Sequence, residues 1–339
     1  MERFVIGAAV AVAVLIAAGS MFGKGISDGN GFRFEFGDRD SGGGAAKGTG
    51  VVSTSPSNTY ATTELKVRDA VAVVKIIPED RADIALEMTN PGALVTPSVK
   101  VEGDVLVVDG GLGRRVRNCQ TRSGWEVTVN GVGEVAESQM PVITVRMPRD
   151  VHLSVSGAVK TEVGAANSAD LAFTGCGPST VADVAGELEI SAAGSGDVTT
   201  GAARTASVSA AGSGDITLGA IAEKFDASVA GSGSVTAASV TGPTDVSIAG
   251  SGDVSILGGA VSEADVSIAG SGNVEFTSGV SRLDASIMGS GDITVRGAAG
   301  SVDANIMGSG DVEVASVTGG VQKAVMGSGS VTVGPISED

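Results

Sequence analysis

The chain has 339 residues, of which 52 are glycine and only 3% aromatic, and its formal net charge is −17 at pH 7. That balance excludes the basic footprint a nucleic-acid binder needs to neutralise phosphates. It also leaves too few large aromatic side chains for a thick core. The hydrophobic 42% is carried mostly by Val, Ala and Ile, which together with glycine suit thin stacked sheets.

In chain order, Met1-Glu2-Arg3 precede twenty uncharged residues, Phe4 to Gly23, and then Lys24. Residues 1–23 are expected to form an apolar helix. The run fits the core of an export signal, with Ala17-Ala18-Gly19 as a small-residue cleavage site. It is also just long enough to cross a hydrocarbon layer of about 30 Å. Cleaved signal and retained anchor both remain open. Either sends the remainder out of the cytoplasm, to the periplasm or the cell surface, with residues 4–23 as the membrane tether if uncut. Residues 24–57, rich in Gly, Ser and Asp, read as a flexible linker, interrupted by the alternating patch Phe32-Arg33-Phe34-Glu35-Phe36.

Residues 58–155 read as a β-rich region leading into the repeats. Val71–Ile77, Val105–Val108 and Val142–Val145 are strand-like runs bounded by Gly, Asp or Pro. Between the last two lie Arg114, Arg115, Arg117 and Arg122, close to the only tryptophan, Trp125. Such a cluster in an acidic chain marks a candidate anion or partner site; the competing reading is a solvated loop that offsets local acidity. Two cysteines, Cys119 and Cys176, are too few for a disulfide framework or a metal cluster. In an oxidising compartment they are available to pair with each other; elsewhere each is a free, small apolar residue.

The repeat decides the architecture over residues 156–335. Gly-Ser-Gly begins at Gly194, Gly212, Gly231, Gly250, Gly270, Gly289, Gly308 and Gly327, at intervals of 18, 19, 19, 20, 19, 19 and 19. Degenerate copies precede these at Gly157 and at Gly175-Cys176-Gly177. A period near 19 is the mark of a solenoid, in which each repeat buries its face on a neighbour. Apolar columns stand two residues before the motif (Val229, Ile248, Ile268, Ile287) and four after its first glycine (Val235, Val254, Val274, Ile293), with polar residues between. That period-2 alternation predicts strands on both sides of a glycine bend. The fold expected is all-β: a parallel β-solenoid (β-helix), right-handed by the usual crossover preference, with rungs of about 19 residues. The glycines are expected to point inward at the bend, where a Cβ would crowd the axis.

Few residues offer chemistry. The single histidine, His152, lacks the flanking pattern of a triad base and reads as a rim residue. Two acidic columns stand out. One follows the motif: Asp197, Asp215, Ser234, Asp253, Asn273, Asp292, Asp311 and Ser330. The other, five residues before the first glycine, is Asp226, Asp245, Asp265, Asp284 and Asp303. Stacked like charges repel, so a calcium ladder on the second column is one reading. The tolerance of Ser and Asn in the first column points instead to side chains that hydrogen-bond the turn backbone. No other cofactor is expected. Met288, Met307 and Met326 form a short outward stripe, and the serines of Gly-Ser-Gly a flat polar face.

The segment Val246-Ser247-Ile248-Ala249-Gly250-Ser251-Gly252-Asp253-Val254 and its copies, with Asp69 to Ile77 and Val145-Arg146-Met147-Pro148, resembles the bacterial putative auto-transporter adhesin, head GIN domain family, over roughly residues 60–335. The resemblance implies a β-helix-like cell-envelope domain of unknown function, and brings no catalytic residues. The function expected is therefore a non-enzymatic, adhesin-like scaffold whose polar solenoid surface meets a protein or glycan of the envelope. The alternative is a glycan-binding or glycan-processing β-helix protein, which would need paired carboxylates in an aromatic-lined cleft.

Overall fold

The computed structural model describes residues 53–120 and 124–334, which fall into two compact units, one ending at Gly201 and the other starting at Ala202. The apolar segment 1–23, residues 24–52 of the linker and Arg122 lie outside the described residues. Among the described residues the only helical pieces are two three-residue 3-10 turns, Gly113–Arg115 and Glu137–Gln139, and no helix is long and apolar enough to cross a membrane.

In the first unit, the long strand Glu64–Glu79 sits within the parallel stack. Asp150–Val163 lies against it in parallel, Ser168–Gly175 and Ser179–Val181 lie on Asp150–Val163, and Val184–Gly194 and Val198–Thr200 follow. On its other side Glu64–Glu79 takes Val105–Asp109 and Val142–Pro148 as parallel neighbours. These carry antiparallel partners, Ser98–Glu102 on the former and Ile84–Asn90 on the latter. Ser53–Tyr60 pairs antiparallel with Ile84–Asn90, so a strand starts inside the stretch that reads as linker. Backbone pairing sets its conformation there, whatever its polar side chains suggest. A separate three-stranded antiparallel sheet, Val116–Gln120, Glu126–Val129 and Gly133–Ala136, completes this unit.

The second unit is a run of parallel rungs without antiparallel additions among its described residues. Gly212 is in register with Gly231, Gly231 with Gly250, Gly250 with Gly270, and so on to Gly308 with Gly327. Beyond each bend a second strand pairs likewise, as in Val254 with Val274, Val274 with Ile293 and Ile293 with Val312. The interior is filled by columns whose volumes alternate along the stack. Fully buried Phe225 sits in register with Ala206 and Thr244, and Leu283 with Ala264. Such large–small alternation fills a narrow core at high density with few aromatic side chains.

The two glycines of the motif do different work. The first adopts a positive φ, near +144° at Gly250, and is half-exposed, so it does not point inward as expected. A Cβ on it would run into a carbonyl oxygen of the adjoining rung, that of Gly231 for Gly250. That same Gly231 oxygen accepts the N–H groups of Ser251 at 2.9 Å and Gly252 at 3.1 Å. The backbone of one bend thus nests on the next, leaving no room for a side chain. The second glycine is the buried one: a Cβ on Gly252 would meet the Gly233 oxygen and a Val229 methyl. In the first unit the bend of Glu64–Glu79 is made instead by Asp69, whose φ of 50° makes it the one non-glycine residue with positive φ among the described residues.

Candidate functional site: the outward ladders

The column that follows Gly-Ser-Gly is structural. The Asp253 Oδ1 accepts the backbone N–H of Asn273 at 2.8 Å, the Asn273 Oδ1 accepts that of Asp292 at 3.0 Å, and Asp292 and Asp311 repeat the contact to Asp311 and Ser330 at 2.8 and 2.7 Å. Asp215 does the same for Ser234 at 2.9 Å. Each side chain therefore caps the bend of the next rung rather than its own. The amide oxygen of Asn273 serves as well as a carboxylate, which is why the column tolerates Asn.

The column five residues before the bend is in register throughout the second unit: Asp226 with Asp245, then Asp265, Asp284 and Asp303. Counter-charges are few. Lys224 Nζ lies 2.6 Å from Asp226, and Arg282 lies 3.8 Å from Asp284 and 3.7 Å from Glu263. Burial, then the neighbouring carboxylates, raises the pKa of Asp245 and of Asp284 from the ordinary aspartate value. Among the described residues no group of three or more His, Cys, Asp or Glu side chains is arranged to hold a metal ion.

The equivalent positions in the first unit are occupied by Glu64, His152, Asp170 and Glu189, in register. His152 is thus no isolated rim residue. Its Nδ1 stands 3.7 Å from an Asp170 oxygen, and Asp170, with further help from Glu64 and Asp150, raises its pKa. Desolvation by burial, then Asp170 and Glu187, raises that of Glu189. Sequence reading missed this ladder because the column there mixes acids with a histidine; counting five residues back from Gly157, Gly175 and Gly194 would have found it.

The serines of Gly-Ser-Gly are exposed from Ser195 to Ser328. Met288, Met307 and Met326 are in register and 37 to 55% exposed, continuing a column that runs through Ala211, Ala230, Ala249 and Ala269. These columns give the second unit outward faces of small, regularly spaced side chains.

The arginine-rich segment takes a different form from the one its composition suggests. Trp125 is 5% exposed and belongs to a cluster with Val71, Leu94, Leu112, Val127, Val129, Val135, Met140 and Ala158. It anchors the small sheet and offers no aromatic surface to a partner. Arg114 and Arg117 are exposed, Arg115 is half-buried, and Arg122 lies outside the described residues. Cys119, from the small sheet, and Cys176, from a rung, are joined as a disulfide with Cα atoms 6.2 Å apart. Val71, Ala158 and Cys176 occupy the position that serine takes in later repeats. Where the small sheet covers that position, it is apolar; where nothing covers it, it is serine.

The family model described as Putative auto-transporter adhesin, head GIN domain, matches residues 97–299 and 245–335. The chain belongs to this family. No curated protein is significantly similar in sequence. Among solved structures, a putative adhesin of Parabacteroides distasonis is 16% identical, covering 85% of this chain and 99% of its own at a TM-score of 0.45. A putative lipid binding protein of the same species is 20% identical, covering 86% and 100% at 0.43. A putative adhesin of Parabacteroides merdae is 14% identical, covering 87% and 100% at 0.43.

Proposed function

We propose that this head GIN domain protein is a non-enzymatic, adhesin-like scaffold of the cell envelope, exported from the cytoplasm, whose ladders meet a protein or glycan through many weak contacts. The observation that carries this reading is the strict register of the outward Asp, Ser and Ala/Met columns in the second unit. Flat, repeating surfaces gain affinity by summing equivalent contacts. The family name and the export-like leader favour the same reading.

Its test has two arms. Intact cells and spheroplasts are treated with protease and the solenoid followed with an antibody; cleavage in intact cells supports surface display, while protection until the outer layer is breached supports a periplasmic scaffold. In the second arm, purified protein and the triple variant Ser251→Lys, Ser271→Lys, Ser290→Lys are compared for binding to envelope preparations. Weakened binding by the variant is expected, and equal binding would remove the serine face from the reading. Turnover of an envelope polysaccharide that is lost on changing one carboxylate would overturn it altogether.

A further inference from the structure

The methionines of the second unit are not scattered. Between residues 202 and 334 there are three, and all fall in one outward column, on consecutive rungs. The same column is alanine on the four rungs before, Ala211, Ala230, Ala249 and Ala269. The other described methionines, Met88, Met140 and Met147, are buried, and core packing accounts for them. It does not account for Met288 and Met307. Their rungs have a described rung on either side, and their side chains are still 37 and 45% exposed.

A thioether sulfur is a weak acceptor for protons and hard cations but a good ligand for soft metal ions. Parallel rungs stack about 4.8 Å apart, and two metal–sulfur bonds of about 2.3 Å placed end to end span about 4.6 Å. Neighbouring side chains of this column are thus spaced to hold one ion between two sulfurs. Methionine's three rotatable bonds let each sulfur adjust to it. Asp284 and Asp303 stand four residues before Met288 and Met307, and by strand alternation on the same side, in a chain whose net charge of −17 already draws cations. Neither cysteine competes as a thiolate, because the two are joined to each other. We propose that Met288 and Met307, with Met326 as the next member of the column, form a thioether site for a soft monovalent cation of the Cu(I) class. The inference stands on this column alone, independent of the partner read from the ladders.

The full chain, its disulfide intact, is titrated with Cu(I), kept reduced by ascorbate, against a chromophoric Cu(I) chelator. In parallel, Ag(I) is added while the methionine methyl signals are followed by NMR. Saturable binding is expected, with the methyl signals of Met288 and Met307 shifting and those of Met88, Met140 and Met147 unmoved. Met307→Leu preserves side-chain size at an exposed position, so it is expected to melt as the wild type does while affinity falls at least about tenfold. Adding Ala230→Met and Ala249→Met to that variant builds an equivalent pair on adjoining earlier rungs and is expected to restore binding. No saturable binding by the wild type, or equal binding by Met307→Leu, overturns the proposal. So does a restored pair that melts normally and binds no better than Met307→Leu.

Discussion

The small sheet around Trp125 and the rungs of the second unit resolve the same position in opposite ways. At the first three bends of the first unit, the residue after the bend is Val71, Ala158 or Cys176, and it packs with the cluster around Trp125, Val127 and Met140. From Ser195 onward, and at each rung of the second unit, it is an exposed serine. The first arrangement takes its stability from contacts between residues far apart in sequence, locked by one covalent bridge over a separation of 57. The second takes it from identical neighbours one rung away, backbone on backbone. A repeat stack can therefore be read from a period, whereas an insertion that covers it cannot.

Four measurements would break or sharpen that contrast. The largest effect is expected at a bend of the second unit. Gly270 has a φ of +146° and its Cβ position collides with the Gly250 backbone, so Gly270→Ala should cost about 4 kcal/mol in chemical denaturation. Gly103, with a φ of +63° and nothing within 4 Å, should cost only about 1 kcal/mol on the same change. Comparable losses at both sites would mean that conformation, not rung nesting, governs the bends.

Next comes the bridge. Cys176→Ser places in the first unit the residue that later repeats carry, yet it removes the cross-link. A loss of about 3 kcal/mol is expected, together with protease cleavage within residues 116–136 while the rungs stay resistant. Unchanged resistance of that segment would show that the Trp125 cluster holds it unaided.

A smaller effect separates the hydrogen bond from the charge in the capping column. Asp311→Ala leaves the Ser330 N–H without its acceptor and should cost about 1 kcal/mol. Asp311→Asn keeps an oxygen in place, as Asn273 does naturally, and should melt like the wild type. Equal losses in both variants would assign the column an electrostatic role instead.

The last is pH. His152, Glu189, Asp245 and Asp284 all have folded-state pKa values raised above their ordinary ones. The folded state thus holds their protons more tightly than the unfolded chain, and stability should fall as pH rises through each folded value. The acids contribute in a window opening above about 4, and His152 in one opening above 6.5. These groups are half-exposed, so the effect is the smallest of the four. Melting temperature followed upward from about pH 4, where the acids' window opens, should decline, and His152→Gln should remove the part of that decline above 6.5. The groups that face these ladders and must be counted with them are Glu64, Asp150, Asp170 and Glu187 in the first unit, and Lys224, Asp226, Glu263, Asp265, Arg282 and Asp303 in the second.

The parallel rungs, their bends and their interior columns were legible because period-2 alternation and a 19-residue repeat both follow from backbone geometry. The capping role of Asp253 and Asp311 was half legible: turn bonding was expected, but its partner proved to be the next rung, a contact that only stacking creates. The burial of Trp125 was not legible, since nothing local distinguishes a covering sheet from an exposed arginine loop. The ladder of Glu64, His152, Asp170 and Glu189 was missed because its column mixes acids with a histidine and three of its members belong to repeats before the first clear Gly-Ser-Gly. The bend at Asp69 escaped because a carboxylate there replaces the glycine that marks every later bend.

The nesting of each bend on the one before has a consequence for how such a protein changes length. Between Gly212 and Gly308 the first glycine of every bend offers its carbonyl oxygen to the serine N–H of the next, and most rungs add a capping Asp or Asn. Loss or duplication of one 19-residue unit within that stretch returns each serine N–H to an equivalent acceptor, and the chain resumes its course in phase. Cys176 has no such equivalent. Evolution is free to lengthen or shorten the stretch beyond it like a ruler sold by the segment, while the bridged bend stays fixed.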